Sequence, residues 1–118
     1  MMRPTEGVSV YLCRETVDFR KSIDGLSAVV EQSLRLDPFD EVLFVFANRR
    51  KDKIKVLYWE RSGFVLWYKR LEKARFPWPA SDGAATLVLS GRELNWLLDG
   101  IDFFRAQPHE TLRYSSAV

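Results

Sequence analysis

The chain has 118 residues, of which 47% are hydrophobic and 14% aromatic, and its formal net charge is only +2. This composition excludes a disordered chain, and the length allows one domain with a core but not two independent domains. No apolar run approaches the roughly 20 residues that a membrane-spanning helix needs, so we expect no membrane partner. We predict a single domain over residues 1–104 and a flexible tail over residues 105–118.

One cysteine and one histidine limit the chemistry open to this chain. Cys13 cannot form an internal disulfide, and the first ten residues lack the apolar core of a signal peptide, so both features indicate a cytoplasmic protein. A single Cys and a single His cannot fill the tetrahedral shell of a zinc ion. The glycines are isolated and form no phosphate-binding loop, so we expect neither a metal nor a cofactor.

The N-terminal half predicts a strand, a long helix and a second strand. Residues 8–12 are apolar and read as a short strand. Asp18 can cap a helix over residues 19–34, whose apolar face at helical spacing includes Leu26 and Val30. The Asp37-Pro38 pair ends that helix. Residues 42–46 are continuously apolar and predict a central strand that is buried on both faces.

The second half predicts more strands and a second helix. Residues 54–59 and 64–68 read as strands, and the short links before each of them imply an antiparallel meander. Residues 69–75 read as a short helical turn and residues 86–89 as an edge strand. Ser90 and Glu93 form a capping box that opens a helix with its apolar face over residues 94–101.

The predicted fold class is therefore α+β: an antiparallel β-meander with a long N-terminal helix and a C-terminal helix packed on the sheet. A small all-β barrel with peripheral helices is the structural alternative.

Positive charge is concentrated between residues 49 and 75, a stretch with ten basic and three acidic residues, while the rest of the chain is net negative. Aromatic residues are interleaved with these cations. Lys and Arg displace counterions from phosphates and flat rings stack on bases, so this pattern is typical of a nucleic-acid-binding surface. The alternative is a solvated hairpin whose rings belong to the core. The candidate nucleic-acid-binding residues are Arg49, Arg50, Lys51, Lys53, Lys55, Arg61, Lys69, Arg70, Lys73 and Arg75.

Arg20 and Lys21 are additional candidates for the same surface. Cations are unfavourable in the first turn of a helix, and such a placement can signal a ligand. The competing interpretation pairs them with Glu15 or Asp24.

Three aromatic residues suggest a surface for a protein partner. Trp78 stands between two prolines, which keep it out of regular structure, and Phe103-Phe104 follows the end of a predicted helix. Exposed rings of this kind anchor protein interfaces. The alternative is that these rings close the bottom of the sheet. The predicted partner-binding residues are Trp78, Phe103 and Phe104.

No arrangement of residues predicts catalysis. A nuclease site would need three carboxylates that hold two metal ions. The carboxylates of this chain are better suited to structural tasks, because Asp18 can cap a helix and both Glu60 and Glu72 lie among cations that can pair with them. We therefore expect a protein that is not an enzyme.

Several long blocks of the sequence are those of a known family. They include 17–26 (VDFRKSIDGL), 43–50 (LFVFANRR), 52–59 (DKIKVLYW) and 97–102 (LLDGID), and their order and spacing also agree. The chain resembles the TnpB accessory proteins of the insertion-sequence sixty-six family of bacterial transposable elements, which are products of the second open reading frame. The resemblance covers residues 10–102. The tail departs from the basic C-terminal end common in that family.

The resemblance implies an accessory factor of transposition that works beside a separate, larger transposase, and it carries over no catalytic residues. Together with the basic stretch, it predicts a bacterial, non-catalytic factor that binds DNA. The alternative is a protein-interaction module that docks on the transposase without touching DNA. The predicted partners are thus DNA and the transposase or another element-encoded protein, while the oligomeric state stays open.

Overall fold

The computed structural model describes residues 3–80 and 82–106, so most of the predicted tail lies outside the described residues. The fold is α+β, with one five-stranded sheet in the order β4-β3-β2-β1-β5 and short helices on both faces. The strands are β1 (Ser9–Cys13), β2 (Leu43–Ala47), β3 (Lys53–Glu60), β4 (Gly63–Arg70) and β5 (Thr86–Ser90). The helices are α1 (Ile23–Ala28), α2 (Gly91–Leu98) and α3 (Phe103–Ala106).

The prediction of a long N-terminal helix is wrong. The Asp18 carboxylate accepts a hydrogen bond from the Arg20 backbone N–H at 2.9 Å and binds the Arg20 guanidinium, which makes a turn instead of a helix cap. The α-helix starts only at Ile23 and spans 6 residues. It continues as a π-helical segment over Val29–Ser33, where the Leu34 N–H reaches the Val29 carbonyl at 3.0 Å. The apolar spacing read as one helix therefore covers a turn, a short helix and a wider segment.

The prediction of an antiparallel β-meander is also wrong for the sheet as a whole, which is mixed. β2, β3 and β4 pair antiparallel in chain order, as their short links require. However, β1 pairs parallel to β2, with Val10 opposite Leu43. The segment that contains α1 supplies the long crossover that a parallel pair needs, and β5 adds antiparallel to the other side of β1. The sheet is consequently mixed.

Strand alternation divides the core into two clusters, one on each face of the sheet. One face packs Phe44, Phe46 and Leu57 against Leu26 and Val30, which are fully buried as predicted. The other face packs against α2 and includes Val10, Leu12, Val45, Ile54, Val56, Leu89, Leu94, Leu97 and Leu98. All five residues of β2 are buried because helices cover both of its faces.

The predicted capping box is present at the start of α2. The Ser90 side chain accepts from the Glu93 backbone N–H at 3.1 Å, and the Glu93 carboxylate accepts from the Ser90 N–H at 2.9 Å. Gly91 follows at the first position of the helix, where an added Cβ would lie 1.7 Å from the Thr5 carbonyl oxygen. The absence of a side chain there lets the N-terminal segment cross the beginning of α2.

The short helix predicted for residues 69–75 does not form. β4 runs on to Arg70, and residues 71–75 leave the sheet without regular structure. This irregular segment returns to the link between β2 and β3 and so contributes to the candidate site.

Candidate nucleic-acid interface

Two separate chain segments meet at one end of the sheet. The link between β2 and β3 (residues 48–52) is organised by Asn48, whose side chain accepts from the Lys53 N–H at 3.0 Å and donates to the Asp52 carboxylate at 2.7 Å. The segment after β4 is fastened to this link by two backbone hydrogen bonds. The Leu71 N–H donates to the Asp52 carbonyl at 2.8 Å, and the Phe76 N–H donates to the Lys51 carbonyl at 2.7 Å.

The two segments and the adjoining ends of β3 and β4 bring together seven of the ten predicted cations. We call this surface the basic end, and it consists of Arg49, Arg50, Lys51, Lys53, Arg70, Lys73 and Arg75. Within the part of the chain that the structure describes, two carboxylates lie among them, those of Asp52 and Glu72. Glu72 pairs with Arg70 at 2.9 Å, whereas the other six cations make no ion pair within the described part of the chain. The basic end therefore carries a large positive excess.

Both acids of the basic end already have partners within the chain. The hydrogen bond from Asn48 lowers the pKa of Asp52, so its carboxylate stays charged and holds the link in place. The hydrogen bond to Glu72, helped by the charge of that carboxylate, raises the pKa of Arg70. Between the segments lies a shallow depression of about 210 Å³ whose lining includes Arg50, Lys73 and Arg75. Three of the cations that have no ion pair among the described residues thus line one concave site.

Two of the predicted lysines make hydrogen bonds to the backbone of other elements. The Lys55 Nζ donates to the Phe19 and Lys21 carbonyls at 2.9 and 2.8 Å, and it lies 4.8 Å from the centre of the Phe19 ring. Burial lowers the pKa of Lys55, with a further contribution from the neighbouring charge of Lys53. Lys69 lies on the opposite face of the sheet, where its Nζ donates to the Leu98 carbonyl at the end of α2 at 2.9 Å.

Arg61 is not brought to the basic end. It lies in the turn between β3 and β4, at the far end of a strand of 8 residues. At about 3.3 Å per residue, roughly 23 Å of strand separates it from the other cations.

Arg20 and Lys21 lie beside Lys55, on the face of the sheet that α1 covers. The Arg20 guanidinium pairs with Asp18, not with Glu15 or Asp24 as the competing interpretation proposed, and this contact lowers the pKa of Asp18 to about 2. Because Lys53 and Arg70 face the same side, these cations extend the basic end along the start of α1.

One aromatic ring accompanies the basic end. Tyr68 is 52% exposed and lies opposite Lys55 across the β3–β4 pair. Trp67, its neighbour, points to the other face and packs on the core there. Tyr68 is one of the aromatic residues interleaved with the cations in the sequence but is not among the predicted site residues, although alternation along β4 places it on the face opposite to Trp67 and next to the cations.

The three predicted partner-binding rings have places in the core. Trp78 is half-buried, and its indole N–H donates to the Arg14 carbonyl at 2.9 Å. Phe103 is only 5% exposed, and the half-buried Phe104 ring lies 4.2 Å from it, centre to centre. All three pack against the core cluster that lies beneath α2.

The described residues offer little for catalysis. Burial raises the pKa of the Cys13 thiol to about 11, which keeps it protonated and unreactive. Within residues 3–80 and 82–106, no group of three or more His, Cys, Asp or Glu side chains is placed to hold a metal ion. In the same ranges, no helix is both long and apolar enough to cross a bilayer.

Comparison with known proteins identifies the family. The family model described as "IS66 Orf2 like protein" matches residues 8–108. The chain belongs to this family. Membership associates it with transposition in an accessory role, in a family that is not known as catalytic.

Two relatives extend the comparison. The chain is 36% identical over 108 residues to uncharacterized protein y4jC of Sinorhizobium fredii (strain NBRC 101917 / NGR234), covering 91% of each chain. It is 35% identical over 113 residues to uncharacterized protein y4hO of the same organism, covering 96% of each chain. No solved structure matches the chain significantly.

Proposed function

We propose that this chain is a non-catalytic accessory factor of transposition that binds duplex DNA through the basic end. The observation that carries the proposal is the joining of residues 48–52 to residues 71–76 by backbone hydrogen bonds. These bonds, together with the pairing of Lys53 with Arg70 across β3 and β4, gather seven cations at one end of the sheet, beside two carboxylates that already have partners. Phosphate contacts made by Lys and Arg supply most of the sequence-independent affinity of such a surface for DNA.

The proposal assigns different tasks to the ten cations predicted from the sequence. Arg49, Arg50, Lys53, Lys73 and Arg75 contact phosphates, assisted by Lys51 and Arg70. Arg20 and Lys21 extend the DNA contact along the start of α1. Tyr68, exposed beside them, stacks or packs on the sugar–phosphate backbone.

The proposal leaves Arg61 out of the interface because it lies in the turn at the other end of β3. Lys55 and Lys69 hold the fold together and contact no phosphate, because each donates its Nζ hydrogen bonds to backbone carbonyls of the chain itself.

The experiment is a salt titration of binding to the terminal DNA of the element and to unrelated DNA of equal length. Arg50→Gln with Arg75→Gln removes two exposed cations that line the same depression. The slope of log affinity against log salt should fall by about 2 on both DNAs, because each lost phosphate contact contributes roughly 0.9.

The matched control is Arg61→Gln with Arg92→Gln, which removes the same charge. Arg61 follows Glu60, at the end of β3, and Arg92 lies in the first turn of α2, just after β5 ends at Ser90. Both lie towards the end of the sheet opposite the basic end, since Ser90 pairs with Ser9 at the start of β1. The control should keep the parent slope.

Equal slopes in the parent and the Arg50/Arg75 variant would refute the proposal, and so would an equal fall in the control. If the folded parent does not retain DNA at low salt but captures the purified transposase through Arg50 and Arg75, the basic end is a docking surface for an acidic protein.

A further inference from the structure

A cluster of three aromatic rings lies at the end of the β3–β4 hairpin opposite the basic end. Phe39 contacts Trp59 and Phe64, with ring centres 5.0 and 5.3 Å apart, and Trp59 and Phe64 are 5.0 Å apart. Trp59 and Phe64 are cross-strand partners, so the sheet fixes their spacing. We call Phe39, Trp59 and Phe64 the aromatic end.

Phe39 covers this cluster from outside but is itself 53% exposed. It belongs to neither core cluster, which are filled from the two faces of the sheet. A large ring held at the surface beside two others is the kind of anchor that dominates protein–protein interfaces.

The loop that carries Phe39 is held in shape before any partner arrives. The Asp37 carboxylate accepts from the Phe39 N–H at 2.9 Å, and the Asp37 carbonyl accepts from the Asp40 N–H at 3.1 Å. Pro38, between them, is buried. A preorganised loop loses little conformational entropy on binding, which favours recognition.

Carboxylates surround the aromatic end. Asp37, Asp40 and Glu41 lie in the Phe39 loop, and Glu60 follows Trp59. All four are exposed, and none makes an ion pair in the part of the chain that the structure describes. They repel the phosphates of a nucleic acid and attract a cation.

A cavity of about 310 Å³ lies next to the rings, and its lining combines apolar side chains with carboxylates. Trp59 forms part of its wall, together with the apolar side chains of Val42 and Leu43. Glu41 and Glu60 line the same cavity, against the single cation Arg61. An apolar side chain of a binding partner fits against this wall. A neighbouring Lys or Arg of the same partner then reaches the carboxylates or stacks on the rings.

We propose that the aromatic end is the docking site for a basic segment of another protein, in which an aliphatic or aromatic side chain is flanked by Arg or Lys. This inference does not depend on DNA binding at the basic end. If both proposals hold, the chain joins DNA at one end of its sheet to a protein at the other.

The test uses three labelled peptides and fluorescence anisotropy. The first alternates Arg with Leu, the second has Glu in place of Arg, and the third has Ser in place of Leu. Only the first peptide should bind. Phe39→Ala should weaken its binding about 30-fold, which is the 2 kcal/mol of an interface hot spot. The matched control, Ile101→Ala, changes an apolar side chain that is 50% exposed elsewhere and should leave affinity unchanged.

The charge requirement is tested separately. Glu41→Gln with Glu60→Gln should weaken the Arg/Leu peptide and flatten its salt dependence, whereas Asp24→Asn with Glu31→Gln should not. The proposal is overturned if Phe39→Ala and Ile101→Ala act alike, or if the Glu/Leu peptide binds as well as the Arg/Leu peptide. It is also overturned if sedimentation shows that Phe39 mediates self-association, since the occupant is then a second copy. DNA binding should be unchanged in Phe39→Ala, which separates this outcome from that of the basic end.

Discussion

Lys55 distinguishes a structural cation from a DNA-binding one, and replacing it tests that distinction. Its Nζ donates to the Phe19 and Lys21 carbonyls at 2.9 and 2.8 Å. It also lies near the rings of Phe19 and Tyr68. These contacts fasten the turn before α1 to the first half of β3. Lys55→Met keeps the aliphatic stem but removes the charge and both hydrogen bonds.

The expected cost follows from these contacts. Hydrogen bonds from a charged donor contribute about 1.5–3 kcal/mol each, and a cation over an exposed ring adds about 0.5–1 kcal/mol. Two effects reduce the sum. The Phe19 and Lys21 carbonyls lie near the surface, where water can replace the lost donor, and the partly buried charge pays a desolvation cost that also lowers the pKa of Lys55. We therefore expect a loss of about 2 kcal/mol in the free energy of unfolding.

The assay is denaturant unfolding of Lys55→Met beside Lys53→Met. Lys53 lies two positions earlier on the same strand and the same face, and no ion pair or side-chain hydrogen bond from its Nζ occurs within the described residues. Its replacement should change stability by less than about 0.5 kcal/mol and lower the salt slope of DNA binding by roughly one. Lys55→Met should do the reverse: it should lower the unfolding midpoint with little effect on the slope. Equal stabilities of the two variants would refute this assignment of roles.

Two further predictions concern the fold. Gly91→Ala should lower the free energy of unfolding by about 1–3 kcal/mol, because the new Cβ would overlap the Thr5 carbonyl. Thermal unfolding compares it with Gly63→Ala, where no atom lies within 4 Å of an added Cβ. Equal midpoints would contradict the crossing of the N-terminal segment over the start of α2. Asp18→Asn should flatten the acid side of the stability profile. The pKa of Asp18 falls from 3.8 to about 2 on folding, so its contribution is complete above about pH 4 and is lost as the pH falls towards 2. If the Arg20 contact does not form, unfolding measured between about pH 2 and pH 4 will give the same dependence of stability on pH for the parent and for Asp18→Asn.

The strands could be predicted from the sequence because their patterns have one physical cause. The apolar run of β2 reflects burial on both faces, and the alternation in β3 correctly places Ile54 and Val56 opposite Lys55 and Leu57. The Ser90–Glu93 capping box was equally readable, because both partners lie within one helical turn.

The long helix could not be separated from its parts by spacing alone. Phe19 and Leu34 are both partly buried against the same core as Leu26, so they show the right period without belonging to the α-helix. The π-helical hydrogen bonds at Val29–Ser33 have no residue signature. The parallel pairing of β1 depends on contacts with distant strands, which no local pattern reports.

The basic stretch was only partly readable. Alternation along β4 could have shown that Lys69 and Arg70 point to opposite faces. By contrast, the return of residues 71–76 to the β2–β3 link depends on backbone hydrogen bonds, which sequence does not reveal.

The place of β1 in the sheet has a consequence for synthesis. β1 is made first, yet its two neighbours lie at Leu43–Ala47 and Thr86–Ser90. On the ribosome, β1, with its apolar side chains Val10 and Leu12, can pair with β2 once the crossover segment has been made. It can pair with β5 only after Ser90 has emerged. The β2–β3–β4 hairpins can close much earlier, because their contacts are local and loop closure is fast. We therefore expect the nascent chain to pass through a state in which the hairpins are formed and one edge of β1 is unpaired, and this edge is where a chaperone or a second nascent chain would bind.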